Sequence, residues 1–110
     1  MARVTADELQ ALLQSNLPVK VLDVRSSTAR KLDPRRIPGA VAVDIAAPEH
    51  DVGELTPEHH IIVYCSWRRE PSAGRVARVL MDKGFRRVRP LEGGLDAWIT
   101  AGGAIAMFDS

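Results

Sequence analysis

The chain contains one cysteine in 110 residues, Cys65. A lone cysteine excludes an internal disulfide and leaves any metal site dependent on histidine and carboxylate ligands. Histidines number three, and no His/Cys spacing suggests zinc. Aromatic residues make up only 5%, and nucleic acid is a weaker candidate because the basic stretch after Cys65 has no recognisable binding module. No stretch approaches the roughly 20 apolar residues that a membrane helix needs. The first ten residues, MARVTADELQ, lack the apolar core of a signal peptide. The cytoplasm is therefore the expected compartment. Repeats, low-complexity tracts and linkers are absent too, so residues 1–110 are expected to form one domain. Neither a metal nor an organic cofactor is expected.

Hydrophobic residues account for 45% and charged residues for 26%, with a net charge of +1. These are ordinary values for a globular protein, but the charge is unevenly spread. Between Cys65 and Arg89 lie eight Arg or Lys residues (68, 69, 75, 78, 83, 86, 87 and 89) against Glu70 and Asp82. Such a stretch reads either as a solvated basic face or as a local field that attracts a small anion.

Local signals alternate between helix and strand. Thr5-Ala6-Asp7-Glu8 reads as a capping box, with Val4 and Leu9 placed to staple the helix start. Leu9, Leu12 and Leu13 give that helix an apolar face, ending before Pro18. Val19 to Val24 reads as a short strand, followed by a polar segment from Arg25 to Arg36. A Pro38-Gly39 turn then leads to a second strand, Val41-Ala42-Val43. Residues 46–58, rich in Pro, Gly and acidic groups, read as loop. Ile61 to Tyr64 is a continuous apolar run, as expected of a strand buried on both faces. Ser72 is placed to cap a helix bearing Ala73, Val76, Ala77 and Leu80, with Gly84 just past its end. Arg87-Val88-Arg89 reads as a further strand. Gly93-Gly94 opens a last helix with Leu95, Trp98 and Ile99, stopped by Gly102-Gly103. The alternation predicts an α/β fold with a parallel sheet flanked by helices on both faces.

In such sheets ligands bind beyond the carboxyl ends of the strands. Cys65 falls at that end of the most apolar strand. The segment Cys65-Ser66-Trp67-Arg68-Arg69-Glu70-Pro71-Ser72 joins this strand to a helix start. A loop tightly curled there would aim amides inward and, with the helix terminus, favour a thiolate; the alternative is a buried, inert cysteine at a strand end. Arg68 and Arg69 are candidates either to bind an anionic donor or to be solvated loop charges, and Trp67 either to wall a pocket or to tuck into the core. Glu70 is suited to the start of the following helix. His59 and His60 precede Cys65 by five or six residues, about 16 Å or more along an extended strand, too far to act as its base. His50 lies in an uncertain loop, and all three histidines read as surface groups. Asp23 and Arg25 lie just past a strand end, where a salt bridge or hydrogen bonds fixing neighbouring loops is the expected role.

Taken together, Asp23-Val24-Arg25, Ile37-Pro38-Gly39-Ala40 and Val63-Tyr64-Cys65 resemble the ordered signature of rhodanese domains. Ser72-Ala73, Gly84-Phe85, Leu91-Glu92-Gly93-Gly94 and Ala97-Trp98 continue it over nearly the whole chain. The resemblance implies a five-stranded parallel sheet flanked by helices and a cysteine loop as catalytic cradle. It also implies transfer of sulfane sulfur from thiosulfate or a persulfide to a thiol or cyanide. Cys65 would be the nucleophile, Ser66, Trp67, Arg68, Arg69, Glu70 and Pro71 the substrate loop, and Asp23, Arg25 and Arg36 supporting residues.

Three features depart from the usual pattern. Arg36 stands where the family often has His, and the interval from Cys65 to Ser72 is one residue longer than usual. That length resembles phosphatase and arsenate-reductase members, but Pro71 stands where those members close the loop with Arg. Glu70 would also repel a phosphate dianion. The Cys-x-x-x-x-Glu-x-Ser-Ala form resembles a variant loop of some bacterial rhodanese domains. Expected partners are a small anionic sulfur donor and a thiol acceptor, a protein acceptor included, with no nucleic acid or membrane. A monomer or weak dimer is expected. The alternatives are a non-catalytic sulfur-carrier or interaction module and, behind it, an oxyanion enzyme.

Overall fold

The computed structural model describes residues 2–43, 55–66 and 70–108, with backbone alone for residues 70–72. Helix α1 (Ala6–Gln14) begins with the capping box read from the sequence. The Thr5 hydroxyl accepts from Glu8 N at 3.1 Å, and Glu8 Oε1 accepts from Thr5 N at 2.9 Å. These reciprocal bonds hold the Glu8 carboxyl below its ordinary value. Val4 and Leu9 flank the cap and are both fully buried, as a hydrophobic staple requires.

Four strands form the main sheet: β1 (Val19–Asp23), β3 (Val41–Ala42), β4 (His60–Tyr64) and β5 (Val88–Pro90), in the order β3-β1-β4-β5. All their pairings are parallel. The expected fifth strand is reduced to one rung. Val4 pairs with Leu91, donating from its N–H to Pro90 O (2.9 Å) and accepting from Glu92 N (2.8 Å). The rung stops there because the next residue, Thr5, turns into the cap of α1.

Helix α3 (Glu70–Asp82) covers one face of the sheet, while α1 and α4 (Gly94–Thr100) cover the other. The pleat sorts the apolar run of β4 between them. Ile61, Val63 and Cys65 join the α3 side, whereas Ile62 and Tyr64 join the α1/α4 side. Two glycine-terminated turns end the helices. Phe85 N donates to Leu80 O and Gly84 N to Met81 O, with Gly84 at φ +104°. Gly103 N donates to Trp98 O and Gly102 N to Ile99 O, with Gly102 at φ +81°. Both are Schellman motifs, which satisfy carbonyls the helix leaves open.

The polar segment from Arg25 to Arg36 is more ordered than its composition suggests. It contains helix α2 (Ser27–Leu32), whose first turn is capped by the Ser26 hydroxyl. After it, β2 (Arg35–Arg36) pairs antiparallel with β6 (Ala106–Met107). Helix α2 has no buried residue, so no apolar periodicity announces it. Of the loop read at 46–58, residues 44–54 lie outside the described residues, and Leu55–Glu58 form irregular chain ending in a turn.

Gly103 is held by space rather than by backbone angle. A Cβ there would lie 2.2 Å from the Trp98 ring, which is itself anchored by an Nε1 hydrogen bond to Ala104 O at 2.7 Å. Gly103→Ala is therefore expected to destabilise the fold by about 1–3 kcal/mol, the usual range for overpacking. Urea denaturation followed by circular dichroism measures this as a lower midpoint with an unchanged slope.

Candidate functional site at the carboxyl edge of the sheet

Because the sheet is parallel, the carboxyl ends of β1, β3, β4 and β5 meet at one edge. The backbone ladder runs past the strands there. Val24 N donates to Tyr64 O (3.0 Å), Val43 N to Asp23 O (2.9 Å) and Leu91 N to Val63 O (2.9 Å). Cys65 is the first residue beyond β4. Its carbonyl accepts from Leu95 N at 2.9 Å, one of the amides that the first turn of α4 leaves without an intrahelical partner. The chain can fold back this tightly because Gly93 and Gly94 both adopt positive φ, +75° and +63°. Cys65 is thus fixed from two sides, by its strand and by α4.

The side chain of Cys65 is only 3% exposed and belongs to the cluster of Leu22, Val24, Val43, Val63 and Ala73. Burial pushes the thiol pKa up. The Ser66 N–H and hydroxyl, hydrogen-bonded to the sulfur, pull it back, Asp23 raises it further and Arg25 lowers it, leaving a net rise. The sequence suggested a thiolate-favouring cradle; the described surroundings favour the thiol, because apolar neighbours outweigh the two Ser66 donors.

Below Cys65, Asp23 and Arg25 form a buried pair, 0% and 4% exposed. Arg25 Nε lies 3.0 Å and Nη2 2.9 Å from Asp23 Oδ2, and Arg25 N donates to Oδ1 at 2.9 Å. The remaining guanidinium donors reach Asp33 O (2.9 Å) and Arg35 O (2.8 Å). Arg25 therefore bolts the chain between α2 and β2 to the end of β1, the loop-fixing role expected for this pair. Arg30 donates to Arg25 O and lies 4.0 Å from Asp23 Oδ1. Sequence reading missed Arg30, because only the turn made by α2 brings it back to Asp23. Tyr64, fully buried, accepts from Ile37 N at 3.4 Å. Burial and the neighbouring Asp23 carboxylate hold its hydroxyl protonated, well above the usual tyrosine range.

Arg36 takes a structural position. Its Nη1 donates to Ala40 O at 2.9 Å, and its guanidinium stacks over the Phe108 ring at 4.7 Å. No described contact joins it to Cys65. Trp67, Arg68 and Arg69 lie outside the described residues, as does His50. Glu70 and Pro71 are the first two residues of α3, so Ser72 sits inside the first turn rather than capping it.

The remaining histidines are remote from the thiol. His60 opens β4 at the opposite end from Cys65, and His59 bonds with Thr56. Both are partly exposed, and their side-chain hydrogen bonds lie at the surface. Burial, with Arg87 and Arg89 nearby, lowers the His60 pKa. The basic stretch divides as well. Arg87 sits beside His60 at the amino edge, and Arg89 faces α1, lining an open depression of about 310 Å³ with Glu8, Ala11, Leu12 and Ser15. These two cations do not face the thiol. Among the described residues no group of three or more His, Cys, Asp or Glu is placed to hold a metal ion, and no helix is long and apolar enough to cross a membrane.

The family model for the rhodanese-like domain matches residues 5–101. The chain belongs to the rhodanese-like domain family. It is 33% identical over 130 aligned positions to a Mycobacterium tuberculosis protein named "Putative thiosulfate sulfurtransferase SseB". That match takes in 93% of this chain and 45% of the relative, so the chain spans about half the length of the curated relatives it matches. The rhodanese-like domain of the Anabaena protein Alr3790 superposes with a TM-score of 0.78 at 26% identity, covering 98% of this chain and 81% of that one. A rhodanese-like domain protein from Staphylococcus aureus gives 0.78 at 22% identity over 99% and 100% of the two chains, a likeness of fold.

Two outcomes follow from this rhodanese-like edge. Asp23→Ala strands the Arg25 charge in the interior and is expected to destabilise the protein by about 3–5 kcal/mol, read as a drop in thermal midpoint. The raised thiol pKa predicts that alkylation of native Cys65 by iodoacetamide turns on at higher pH than in urea-unfolded protein. By the same shift, stability from the protonated thiol is complete below the unfolded thiol's pKa. It is lost as pH rises through the folded value, a loss that Cys65→Ser abolishes in pH-dependent denaturation.

Proposed function

We propose that this rhodanese-like chain is a sulfurtransferase that carries sulfane sulfur on Cys65. The observation that carries the reading is the placement of its one cysteine. The thiol sits at the carboxyl end of an inner strand, followed by the segment that leads into α3 and pinned through its carbonyl to α4. The curated relative's name, thiosulfate sulfurtransferase, supports the same chemistry.

The reaction has two half-steps. The Cys65 thiolate attacks the outer sulfur of thiosulfate. A new bond forms to Sγ, the sulfur–sulfur bond of the donor breaks, and sulfite leaves with the electron pair. In the second step an acceptor thiolate or cyanide attacks the outer sulfur of the persulfide. The Sγ–S bond breaks, its pair returns to Sγ, and the thiolate is regenerated. No net oxidation occurs and no cofactor is needed. Ser66 donors stabilise negative charge at the sulfur. Ser66, Trp67, Arg68, Arg69, Glu70 and Pro71 form the proposed substrate loop, with Asp23 and Arg25 holding its floor. As the chain has no second cysteine, the acceptor comes from outside.

A second reading, a carrier that presents persulfide to a protein partner, is favoured by one observation. The buried thiol with its raised pKa is poorly suited to fast exchange with small molecules. Both readings require loading. Intact mass after thiosulfate treatment is expected to rise by one sulfur atom in wild type and not in Cys65→Ser. An enzyme then also yields thiocyanate from cyanide with turnover, whereas a carrier releases at most one equivalent. A wild-type mass that never changes with any sulfane donor would overturn both.

A further inference from the structure

Helix α3 starts five residues after Cys65 and links β4 to the parallel β5, so it runs from the cysteine edge of the sheet to the opposite edge. Its inner face is apolar: Ala73, Val76, Ala77 and Leu80 are buried. Its outer face carries Arg75 and Arg78, one turn apart and exposed, and Lys83 and Arg86, just beyond its end, are exposed as well. Among the described residues none of these four side chains has a hydrogen bond or ion pair. Asp82 is the one carboxylate between them, and Met81, 41% exposed, adds an apolar spot.

The charge is concentrated here. Residues 73–89 hold six of the chain's fifteen Arg and Lys residues but one of its fourteen Asp and Glu residues, although the whole chain is nearly neutral. A helix of 13 residues is about 20 Å long. That length far exceeds a thiosulfate ion but fits one side of a protein interface. Exposed cations without intramolecular partners act mainly by steering an oppositely charged surface into register.

Resting on the sulfurtransferase reading, we propose that the outer face of α3, through Arg75, Arg78, Lys83 and Arg86, docks an acidic protein that exchanges sulfur with Cys65. The occupant is chosen by charge complementarity and by the chemistry beside it. The helix that carries the face starts five residues after Cys65, at the same edge of the sheet, and a thiol-bearing protein supplies the acceptor that this chain lacks. A nucleic acid fits less well, since the face has no exposed aromatic side chain among the described residues and the chain has no strongly basic balance.

The test uses two synthetic peptides of equal length, each with one cysteine, one rich in Asp and Glu and the other neutral. Persulfide-loaded wild type is expected to pass sulfur to the acidic peptide at least about tenfold faster at low salt, the advantage shrinking as ionic strength rises. The double variant Arg75→Glu/Arg78→Glu is expected to lose that advantage while its rate with cyanide is unchanged. Asp82→Asn is expected to increase it, a gain that misfolding does not produce.

A second arm needs no sulfur chemistry. Anisotropy of a fluorescent acidic peptide without cysteine is measured on Cys65→Ser protein. Binding that weakens with Arg75→Glu/Arg78→Glu supports the docking face even if Cys65 never loads. Equal transfer rates for both peptides, or binding indifferent to the four cations, overturns the proposal. So does tighter binding of a single-stranded oligonucleotide of equal charge.

Discussion

The buried contact between Asp23 and Arg25 is the constraint on which the site edge depends. A guanidinium fork on a carboxylate, with its remaining donors on Asp33 O and Arg35 O, joins three pieces of chain. They are the end of β1, the stretch after α2 and the short β2/β6 ribbon. Burying two charges is expensive, and here the expense is offset because each guanidinium nitrogen meets an acceptor. Arg30 adds a second cation near Asp23. The pair also sits within electrostatic reach of the thiol, where its two members act in opposite directions on Cys65.

Cys65 lives with a compromise. The strand that places it at the carboxyl edge of the sheet also buries it among aliphatic side chains, and that burial favours the protonated thiol. Only the Ser66 donors and Arg25 oppose it within the described residues. A thiol held this way is well protected from adventitious oxidation, which tracks thiolate character and exposure. Were sulfur exchanged at this thiol, the same protection would make delivery of a donor or acceptor a matter of recognition. On the proposed reading, the cations along α3 would supply it, because steering raises encounter rates without altering the thiol itself.

Much of this architecture was legible in local sequence. The capping box at Thr5 and Glu8 uses contacts three residues apart, and the Gly84 Schellman turn uses contacts within six, so both are written in neighbouring residues. Helix α2 was not legible, since it buries nothing and is short. The β2/β6 ribbon joins Arg35 to Met107, a pairing over 70 residues that no window of sequence contains. The shift of the α3 start from Ser72 to Glu70 reflects the ordinary ambiguity of helix ends.

The sequence by itself determined the alternation of strands and helices, the single cysteine and its place just past the most apolar strand. These follow from periodicity, capping chemistry and composition, which act locally. Tertiary structure alone decided what surrounds that sulfur. Parallel pairing brought Asp23 and Arg25 near it, α4 turned an amide of Leu95 onto its carbonyl, and the pleat pointed it toward α3. It also separated Arg87 and Arg89 from the site while leaving Arg75 and Arg78 on an outer helix face. Distance in space, unlike order along the chain, is set only when the sheet closes and each side chain is assigned to one of its faces.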